Sequence, residues 1–321
     1  MRIAFMGKGG SGKTTLTTAF AKFLLKQKKD TPVFLFDVDL NSHIANELEI
    51  DFPIENFFGG KFKEVSDFIE PQLLERLSLK EIPEFGTILP NQDTKFIKLD
   101  DVENKFVNRY GVKKDNLTLF AAGNHLTKDH AGHSCYHDML NTYELIMHRI
   151  ADNKNNYVIA DTTAGIDNVG TSLYMAYDLV VFIVEPTDRS IAVYKDYINV
   201  AEVDKSKVFV VGNKIENEAD EKFIKKIIEE DRILALFKAN KEIYRDADQT
   251  SYDHFIEEHK DQLQTILNKL DSTDKDWDSY FQELFRLFKK ETTGWWSDFY
   301  GVDLEDKFKE DYSFINNNFN N

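Results

Sequence analysis

The ten residues from Met6 to Thr15, MGKGGSGKTT, decide the fold. An apolar run, RIAFM, precedes them at 2–6, and a helical pattern from Leu16 to Lys26 follows. A glycine-rich turn between a strand and a helix directs backbone N–H groups at an anion, and the helix dipole adds to the attraction. The segment is therefore predicted to be a phosphate-binding loop.

The motif gives individual side chains a role in this loop. Lys13 is expected to reach the β and γ phosphates, Thr14 to coordinate Mg²⁺ through its hydroxyl, and Thr15 to contact the α phosphate. The remaining binding positions are Gly9, Gly10, Ser11 and Gly12. A nucleoside triphosphate and Mg²⁺ are the cofactors that this motif predicts.

Short apolar runs recur along the first 235 residues and alternate with helical patterns. They are VFLFD at 33–37, LTLFAA at 117–122, YVIAD at 157–161, LVVFIV at 179–184 and KVFVVGN at 207–213. Runs that are apolar almost throughout suit strands buried on both faces of a parallel sheet. The predicted fold class is α/β, with the doubly wound, mainly parallel sheet of a P-loop NTPase.

Two stretches depart from this alternation. Residues 50–115 are rich in proline and glycine and predict a helical insertion. Residues 241–321 carry 19 acidic and 10 basic side chains, and two helical apolar stripes run through 256–270 and 277–288. We predict a P-loop ATPase domain over 1–250 and an acidic helical extension over 251–321. The aromatic residues after 291 are expected to dock on their own domain, with a partner-binding surface as the alternative.

Composition and net charge indicate the cellular compartment and exclude two classes of binding partner. The net charge is −16, a sign that opposes the phosphates of nucleic acid and of anionic lipid. No run of about 18 apolar residues occurs, and the one cysteine, Cys135, excludes an intrachain disulfide. These features predict a cytoplasmic protein that binds neither nucleic acid nor membrane.

Lys8 is a second lysine, near the start of the loop. With it, the loop resembles the deviant Walker A signature of the ATPase family that includes MinD, ParA, nitrogenase iron protein and the CooC-type ATPases. The resemblance implies an ATP-hydrolysing homodimer in which Lys8 reaches the partner's nucleotide. Lys8 and Lys13 would then neutralise the charge that develops on the phosphates.

Two Asp-containing strand ends resemble the family's switch regions: DVDLN at 37–41 and DTTAG at 161–165. The resemblance implies that Asp39 orients the attacking water, that Asp37 lies near the metal, and that Asp161 holds Mg²⁺ through water. The alternative for the first region is that Asp39, Asn41 or Ser42 merely caps the next helix.

VFVVGNKIE at 208–216 resembles the segment of this family that contacts adenine, which implies base contacts from Asn213 and Lys214. It is also similar to the Asn-Lys-x-Asp guanine motif of GTPases, with Glu216 in the acidic position. The Lys8 signature favours ATP. Pro186 is expected to line the same base pocket.

The segment GHSCYHDML at 132–140 stands where CooC-type nickel-insertion ATPases have a Cys-x-Cys metal site. Cys135 matches one cysteine and His137 replaces the other, so two subunits would offer four ligands for Zn²⁺ or Ni²⁺. The alternative is a polar loop with a buried thiol. The resemblance implies a metal-insertion or maturation factor with a protein client, against a ParA/MinD-like positioning ATPase or a protein-client scaffold.

Overall fold

The computed structural model describes residues 1–39, 42–69, 89–123, 136–162, 172–200, 204–301, 303 and 311–319. Eight strands within these ranges form one sheet in the order β3-β4-β2-β5-β1-β6-β7-β8. All neighbours are parallel except β3 and β4. The strands are β1 (Arg2–Gly7), β2 (Val33–Asp37), β3 (Val112–Lys114), β4 (Leu117–Ala121), β5 (Tyr157–Asp161), β6 (Leu179–Val184), β7 (Val208–Ile215) and β8 (Ile233–Lys238).

Helices connect the strands and continue after the last one. They are α1 (Lys13–Gln27), α2 (Ile44–Glu47), α3 (Phe62–Ile69), α4 (Lys105–Tyr110), α5 (Tyr136–Met147), α6 (Asp188–Val200), α7 (Glu218–Ile227), α8 (Lys241–Arg245), α9 (Gln249–Glu258), α10 (Lys260–Asp271), α11 (Trp277–Glu291), α12 (Ser297–Tyr300) and α13 (Phe314–Asn318). Short 3₁₀ helices include Ser172–Ala176. None of these described helices combines the length and apolar composition needed to cross a bilayer.

The central strands are buried on both faces, which explains their almost unbroken apolar sequence. In β1, Ile3 and Phe5 face one hydrophobic cluster, while Ala4 and Met6 face the other. Helices α1, α9 and α10 cover the first face, and α3 to α7 cover the second. The doubly wound α/β prediction is confirmed.

A third cluster lies where the C-terminal aromatic residues meet the rest of the chain. Phe281 of α11 is fully buried and contacts Phe96, Phe314 and Phe319. These described aromatic residues therefore dock on their own chain, whereas Phe299 is 62% exposed. The boundary between domains 1–250 and 251–321 stays a prediction, because α9 and α10 share a cluster with the strands.

The sequence patterns missed β3 and β8, the two edge strands. Both are partly exposed, so neither presents the fully apolar run that marks the central strands. The stripe at 256–270 is also two helices and not one, with the break at His259. The His259 ring accepts a hydrogen bond from the Lys238 N–H (3.1 Å) and donates to the Phe255 carbonyl (3.0 Å), which ties the break to the end of β8.

Candidate functional site

The loop between β1 and α1 turns sharply at its last residue. Gly12 has φ +95°, in the left-handed region that favours glycine. A Cβ there would lie 2.3 Å from the Asn213 amide nitrogen, which donates to the Ser11 carbonyl at 2.8 Å. The end of β7 therefore packs directly under the loop, and this approach requires glycine at position 12.

The start of α1 brings three of the predicted residues together. Lys13 is buried, and the Thr14 hydroxyl donates to Asp161 Oδ2 at 2.8 Å. Thr17, one turn further on, shares its hydroxyl proton between the Lys13 carbonyl (2.9 Å) and Asp161 Oδ1 (3.2 Å). Strand β5 thus ends with its carboxylate against the first turn of α1.

Asp37 and Asp161 form a buried carboxylate pair. They end neighbouring strands in the same register, and each is about 1% exposed or less. Burial raises the pKa of Asp161 to about 7, although the Thr14 hydrogen bond and the Lys13 charge oppose the shift. Burial, and then the charge of Asp161, raise the pKa of Asp37 well above its ordinary value. Such a pair suits a site that a cation completes.

Asp37 also contacts the start of α2. Its Oδ2 accepts the Ile44 N–H at 3.2 Å, while Oδ1 has no hydrogen-bond partner among the described residues. Ser42 places its hydroxyl 3.3 Å from the Asp39 carbonyl instead of on the helix, and Asn41 lies outside the described residues. The residue directly before α2 is His43, which makes no side-chain capping hydrogen bond, so the first N–H of the helix is paired with Asp37.

The remaining phosphate-side residues lie at the surface of the site. Asp39 lies two residues after the end of β2 and is half-buried, as are Lys8 and Thr15. The Lys8 ammonium donates to its own loop, at the Gly9 carbonyl, over 3.3 Å. Lys8 is thus partly exposed, and among the described residues its ammonium has one long hydrogen bond, within the loop.

The predicted base-contacting residues cluster at the ends of β6 and β7. Asn213 Oδ1 accepts from the Tyr244 hydroxyl at 3.2 Å, and the Lys214 ammonium lies 5.4 Å from the Tyr244 ring. The Lys214 ammonium also donates to the Gly10 carbonyl and to the Glu185 carboxylate, and its distance to Glu185 Oε1 is 2.7 Å. Pro186 is the next residue after Glu185 and is half-buried.

Two residues near the start of α1, Thr17 and Glu47, were not predicted from the sequence. Thr17 was recognisable, because it lies three positions after Thr14 on the same face of α1. Glu47 of α2 was not: its Oε2 accepts from Thr18 at 2.6 Å and from the Tyr252 hydroxyl at 2.5 Å. Tyr252 is 205 positions from Glu47, so no local pattern connects them.

The predicted transition-metal loop cannot be placed. Cys135 lies outside the described residues, and His137 belongs to α5 but its side chain is also outside them. Within the part of the chain that the structure describes, no group of three or more His, Cys, Asp or Glu side chains could hold a metal ion.

The family model for the CobQ/CobB/MinD/ParA nucleotide-binding domain matches residues 3–252. The chain belongs to this family. Its phosphate loop, both carboxylate strand ends and the Asn213 segment all fall within the matched range. Helices α10 to α13 lie beyond it.

Proteins similar in sequence support the assignment of nucleotide binding. An uncharacterized ATP-binding protein of Methanocaldococcus jannaschii is 28% identical over 249 residues, which cover 76% of this chain and 90% of that protein. The carbon monoxide dehydrogenase accessory protein CooC of Rhodospirillum rubrum is 27% identical over 198 residues, covering 60% of this chain and 65% of that protein. The chain is accordingly a member of an ATP-binding protein family.

Two solved structures share the fold. The MinC:MinD cell division complex of Aquifex aeolicus gives a TM-score of 0.52 at 16% identity, covering 86% of this chain and 97% of that chain. An ATP complex of a McdA variant from Cyanothece gives 0.52 at 13% identity, covering 86% and 98%. These similarities are evidence for the fold alone.

Proposed function

We propose that the protein is an ATP-hydrolysing molecular switch that pairs two copies of the chain when ATP is bound. The observation that carries the proposal is the convergence of Lys13, Thr14 and Asp161, with the Thr14 hydroxyl 2.8 Å from Asp161 Oδ2. Family membership supplies nucleotide binding. Hydrolysis and pairing are the steps that the proposal adds.

The residues present suit Mg²⁺, which prefers oxygen ligands and usually keeps several waters. The Thr14 hydroxyl would hold the ion directly, and Asp161 and Asp37 would hold it through its waters. The Asp37 Oδ1 atom, buried and without a partner among the described residues, is free to take such a contact. Bound Mg²⁺ supplies positive charge that stabilises the phosphate oxygens.

Side chains of the protein would neutralise the phosphate charge and orient the attacking water. Buried Lys13 neutralises charge on the β and γ phosphates, and Thr15 contacts the α phosphate. Half-buried Asp39 accepts a hydrogen bond from the attacking water and orients it. Within the part of the chain that the structure describes, the Lys8 ammonium contacts the Gly9 carbonyl of its own loop, and leaving this long hydrogen bond would let it reach a partner's phosphates.

For the base, we propose that Asn213, Lys214 and Pro186 form the adenine pocket. The Asn213 amide keeps hydrogen-bonding capacity beyond its contacts to Ser11 and Tyr244, since an amide nitrogen has two protons and its oxygen two lone pairs. Glu216 takes the place of the aspartate with which GTPases select guanine, so GTP is the nucleotide to compare.

The test is ATP and GTP turnover, together with nucleotide affinity, in single variants. Lys13→Ala should weaken ATP binding, and Asp39→Ala should bind ATP while losing about 100-fold in turnover, as for removal of one transition-state contact. Lys26→Ala is the matched control, because this lysine of α1 is half-exposed and pairs with Asp253. Full turnover in Asp39→Ala would refute its role.

A second candidate, a metal-insertion or maturation factor, is favoured by the similarity to CooC. In that function a client protein receives Zn²⁺ or Ni²⁺ as cargo from Cys135 and His137 loops paired across the dimer. Metal analysis of the ATP-bound protein tests it. About one ion per pair, lost in Cys135→Ser, would support it, and a metal-free dimer would favour a scaffold for a protein client.

A positioning ATPase that binds DNA or membrane is the third possibility. The net charge of −16, with a surplus of acidic residues after position 240, opposes both surfaces. We therefore propose a protein client and a second copy of the chain as the partners.

A further inference from the structure

Two consecutive residues at the end of β7 hold two consecutive carbonyls of the phosphate loop. The Asn213 amide nitrogen donates to the Ser11 carbonyl at 2.8 Å. The Lys214 ammonium donates to the Gly10 carbonyl. In a regular strand, successive side chains point to opposite faces of the sheet, so both could not reach one loop. The end of β7 must therefore depart from regular strand geometry.

The backbone of Lys214 shows this departure. Its φ is +60°, in the left-handed region that residues other than glycine rarely adopt. The pairing of β7 with β8 also shifts register between Gly212 and Ile215. Such an irregularity re-aims a side chain, and the strained conformation persists only where surrounding contacts hold it. The contacts of the Lys214 side chain therefore determine where the end of β7 meets the loop.

Glu185 and Tyr244 contact the two residues that hold the loop. Glu185, the residue after β6, places its carboxylate 2.7 Å from the Lys214 ammonium. The Tyr244 hydroxyl donates to Asn213 Oδ1 at 3.2 Å, and its ring centre lies 5.4 Å from the Lys214 ammonium, within the range of a cation–π contact. We call Glu185, Asn213, Lys214 and Tyr244 the loop clamp.

Holding these carbonyls fixes how the loop presents its N–H groups, which bind phosphate in loops of this kind. The described peptide bonds are all trans, and in a trans peptide the N–H points away from the preceding C=O. With the Ser11 carbonyl held at β7, the Gly12 N–H points away from β7. The Ser11 N–H, which follows the Gly10 carbonyl, closes the turn on the Lys8 carbonyl at 3.1 Å. The orientation of both peptide groups thus depends on the loop clamp.

We propose that the loop clamp holds the phosphate loop in its phosphate-binding shape before a nucleotide arrives, with its four members acting as positioning residues. The inference rests on the proposed function and deepens it, because residues assigned to the base pocket also set the affinity of the loop for phosphate groups. A triphosphate without base or sugar should then bind the loop and depend on the loop clamp. Residues that contact only the base would leave the binding of such a ligand unchanged.

The probe is Mg-tripolyphosphate, which carries the phosphate groups of ATP without the nucleoside. Titration calorimetry measures its affinity and that of MgATP for the wild type, Lys214→Met and Glu185→Met. Methionine keeps an unbranched side chain at both positions and removes the ion pair. We expect each variant to bind tripolyphosphate about tenfold more weakly, as for loss of a charged hydrogen bond, and ATP to be weakened at least as much.

The two substitutions change the charge of the site in opposite directions. Lys214→Met removes a positive charge and Glu185→Met removes a negative one. Attraction between charges alone therefore predicts weaker phosphate binding in the first variant and tighter binding in the second. The loop clamp predicts weaker binding in both. Unchanged or tighter binding of tripolyphosphate by Glu185→Met would overturn the inference.

Lys222 and Glu218 of α7 provide the matched control. They form an ion pair at 3.2 Å, with their side chains 77% and 86% exposed. Lys222→Met and Glu218→Met should bind both ligands within about twofold of the wild type, as is usual for surface substitutions.

A phosphorus NMR spectrum of saturating MgADP distinguishes a displaced loop from a general loss of stability, since only folded protein holds the ligand. The resonance of the bound β phosphate should move in Lys214→Met and Glu185→Met and stay in place in the two control variants. An unmoved resonance in the first two would assign their weaker binding to lost stability and would overturn the inference.

Weaker ATP binding with unchanged tripolyphosphate binding would also overturn the inference, while leaving the proposed function intact. So would a wild type that binds ATP but not tripolyphosphate, because its loop would not be preformed. A wild type that binds neither ligand would overturn the proposed function and, with it, the inference. If Lys214→Met does not fold, Tyr244→Phe removes the hydroxyl that holds Asn213 and should weaken tripolyphosphate binding in the same direction.

Discussion

Two buried carboxylates, Asp37 and Asp161, lie side by side at the end of neighbouring strands, where they oppose folding unless a cation joins them. A hydrophobic or amide side chain would be more stable there. Binding of Mg²⁺ together with the nucleotide would offset the unfavourable free energy of burying the two carboxylates. Stability and function therefore conflict at this pair of residues.

Asp161→Asn should stabilise the protein in metal-free buffer at pH 8 and weaken Mg²⁺-dependent nucleotide binding. The pKa of Asp161 is about 7 in the folded protein against 3.8 ordinarily. Ionisation thus opposes folding, with no penalty below pH ~4 and the full penalty above pH ~7. Chemical denaturation should show a gain of about 1–3 kcal/mol at pH 8 that vanishes towards pH 4.

Exposed Asp261→Asn is the control for this measurement, with a change within about 0.5 kcal/mol at either pH. A gain in Asp161→Asn that does not depend on pH would show that burial of its charge is not the cause.

The phosphate loop could be recognised residue by residue because its chemistry depends on neighbours in sequence. Gly12, Lys13 and Thr14 follow one another, and the strand before them is apolar. Glu47 could not be recognised, since its partner Tyr252 comes from a helix more than 200 positions away. The bond from Ile44 N–H to Asp37 was likewise hidden, because a side chain that pairs with the first N–H of a helix normally stands next to the helix, and Asp37 is seven positions before Ile44.

Among the elements, α11 is fixed to the rest of the chain by aromatic packing and by charge. Phe281 stands at the centre of the aromatic contacts, and its ring centre is 4.8 Å from that of Phe314. Near this helix, the Asp152 carboxylate forms an ion pair with the Arg2 guanidinium at 2.6 Å. Although burial alone would raise it, the charges of Arg2, Lys275 and the N-terminus lower the pKa of Asp152.

Phe281→Ala should therefore lower the free energy of unfolding by about 3–5 kcal/mol, the usual cost of removing a buried aromatic ring. Phe299→Ala, at an exposed position of α12, should change it by no more than about 0.5 kcal/mol. Chemical denaturation of both variants measures the contrast. Equal, small effects would mean that the aromatic extension does not stabilise its own domain.

Sequence periodicity predicted the strands that are fully buried. It missed the edge strand β8 and the helix break, which depend on contacts between distant parts of the chain. Central strands such as β6 are apolar throughout and were found, while β8 lies at the edge with half of its side chains partly exposed. The break between α9 and α10 lies inside an uninterrupted apolar stripe. At the break, His259 accepts a hydrogen bond from the Lys238 N–H, a contact that no pattern within the helices reveals.

For the whole molecule, the central claim is that two copies pair across ATP through Lys8. The monomer already presents the lysine half-buried at the mouth of the phosphate loop, with one 3.3 Å contact to Gly9. A residue that acts on its own nucleotide would be expected to affect binding when removed. A residue that acts on the partner's nucleotide should affect pairing instead.

The most direct test is light-scattering mass of the wild-type protein and Lys8→Ala, each with ADP and with a non-hydrolysable ATP analogue. The wild type should have the 37.3 kDa chain mass with ADP and twice that mass with the ATP analogue. Lys8→Ala should bind the analogue and remain at the single-chain mass. A Lys8→Ala protein that doubles its mass as fully as the wild type would contradict the account.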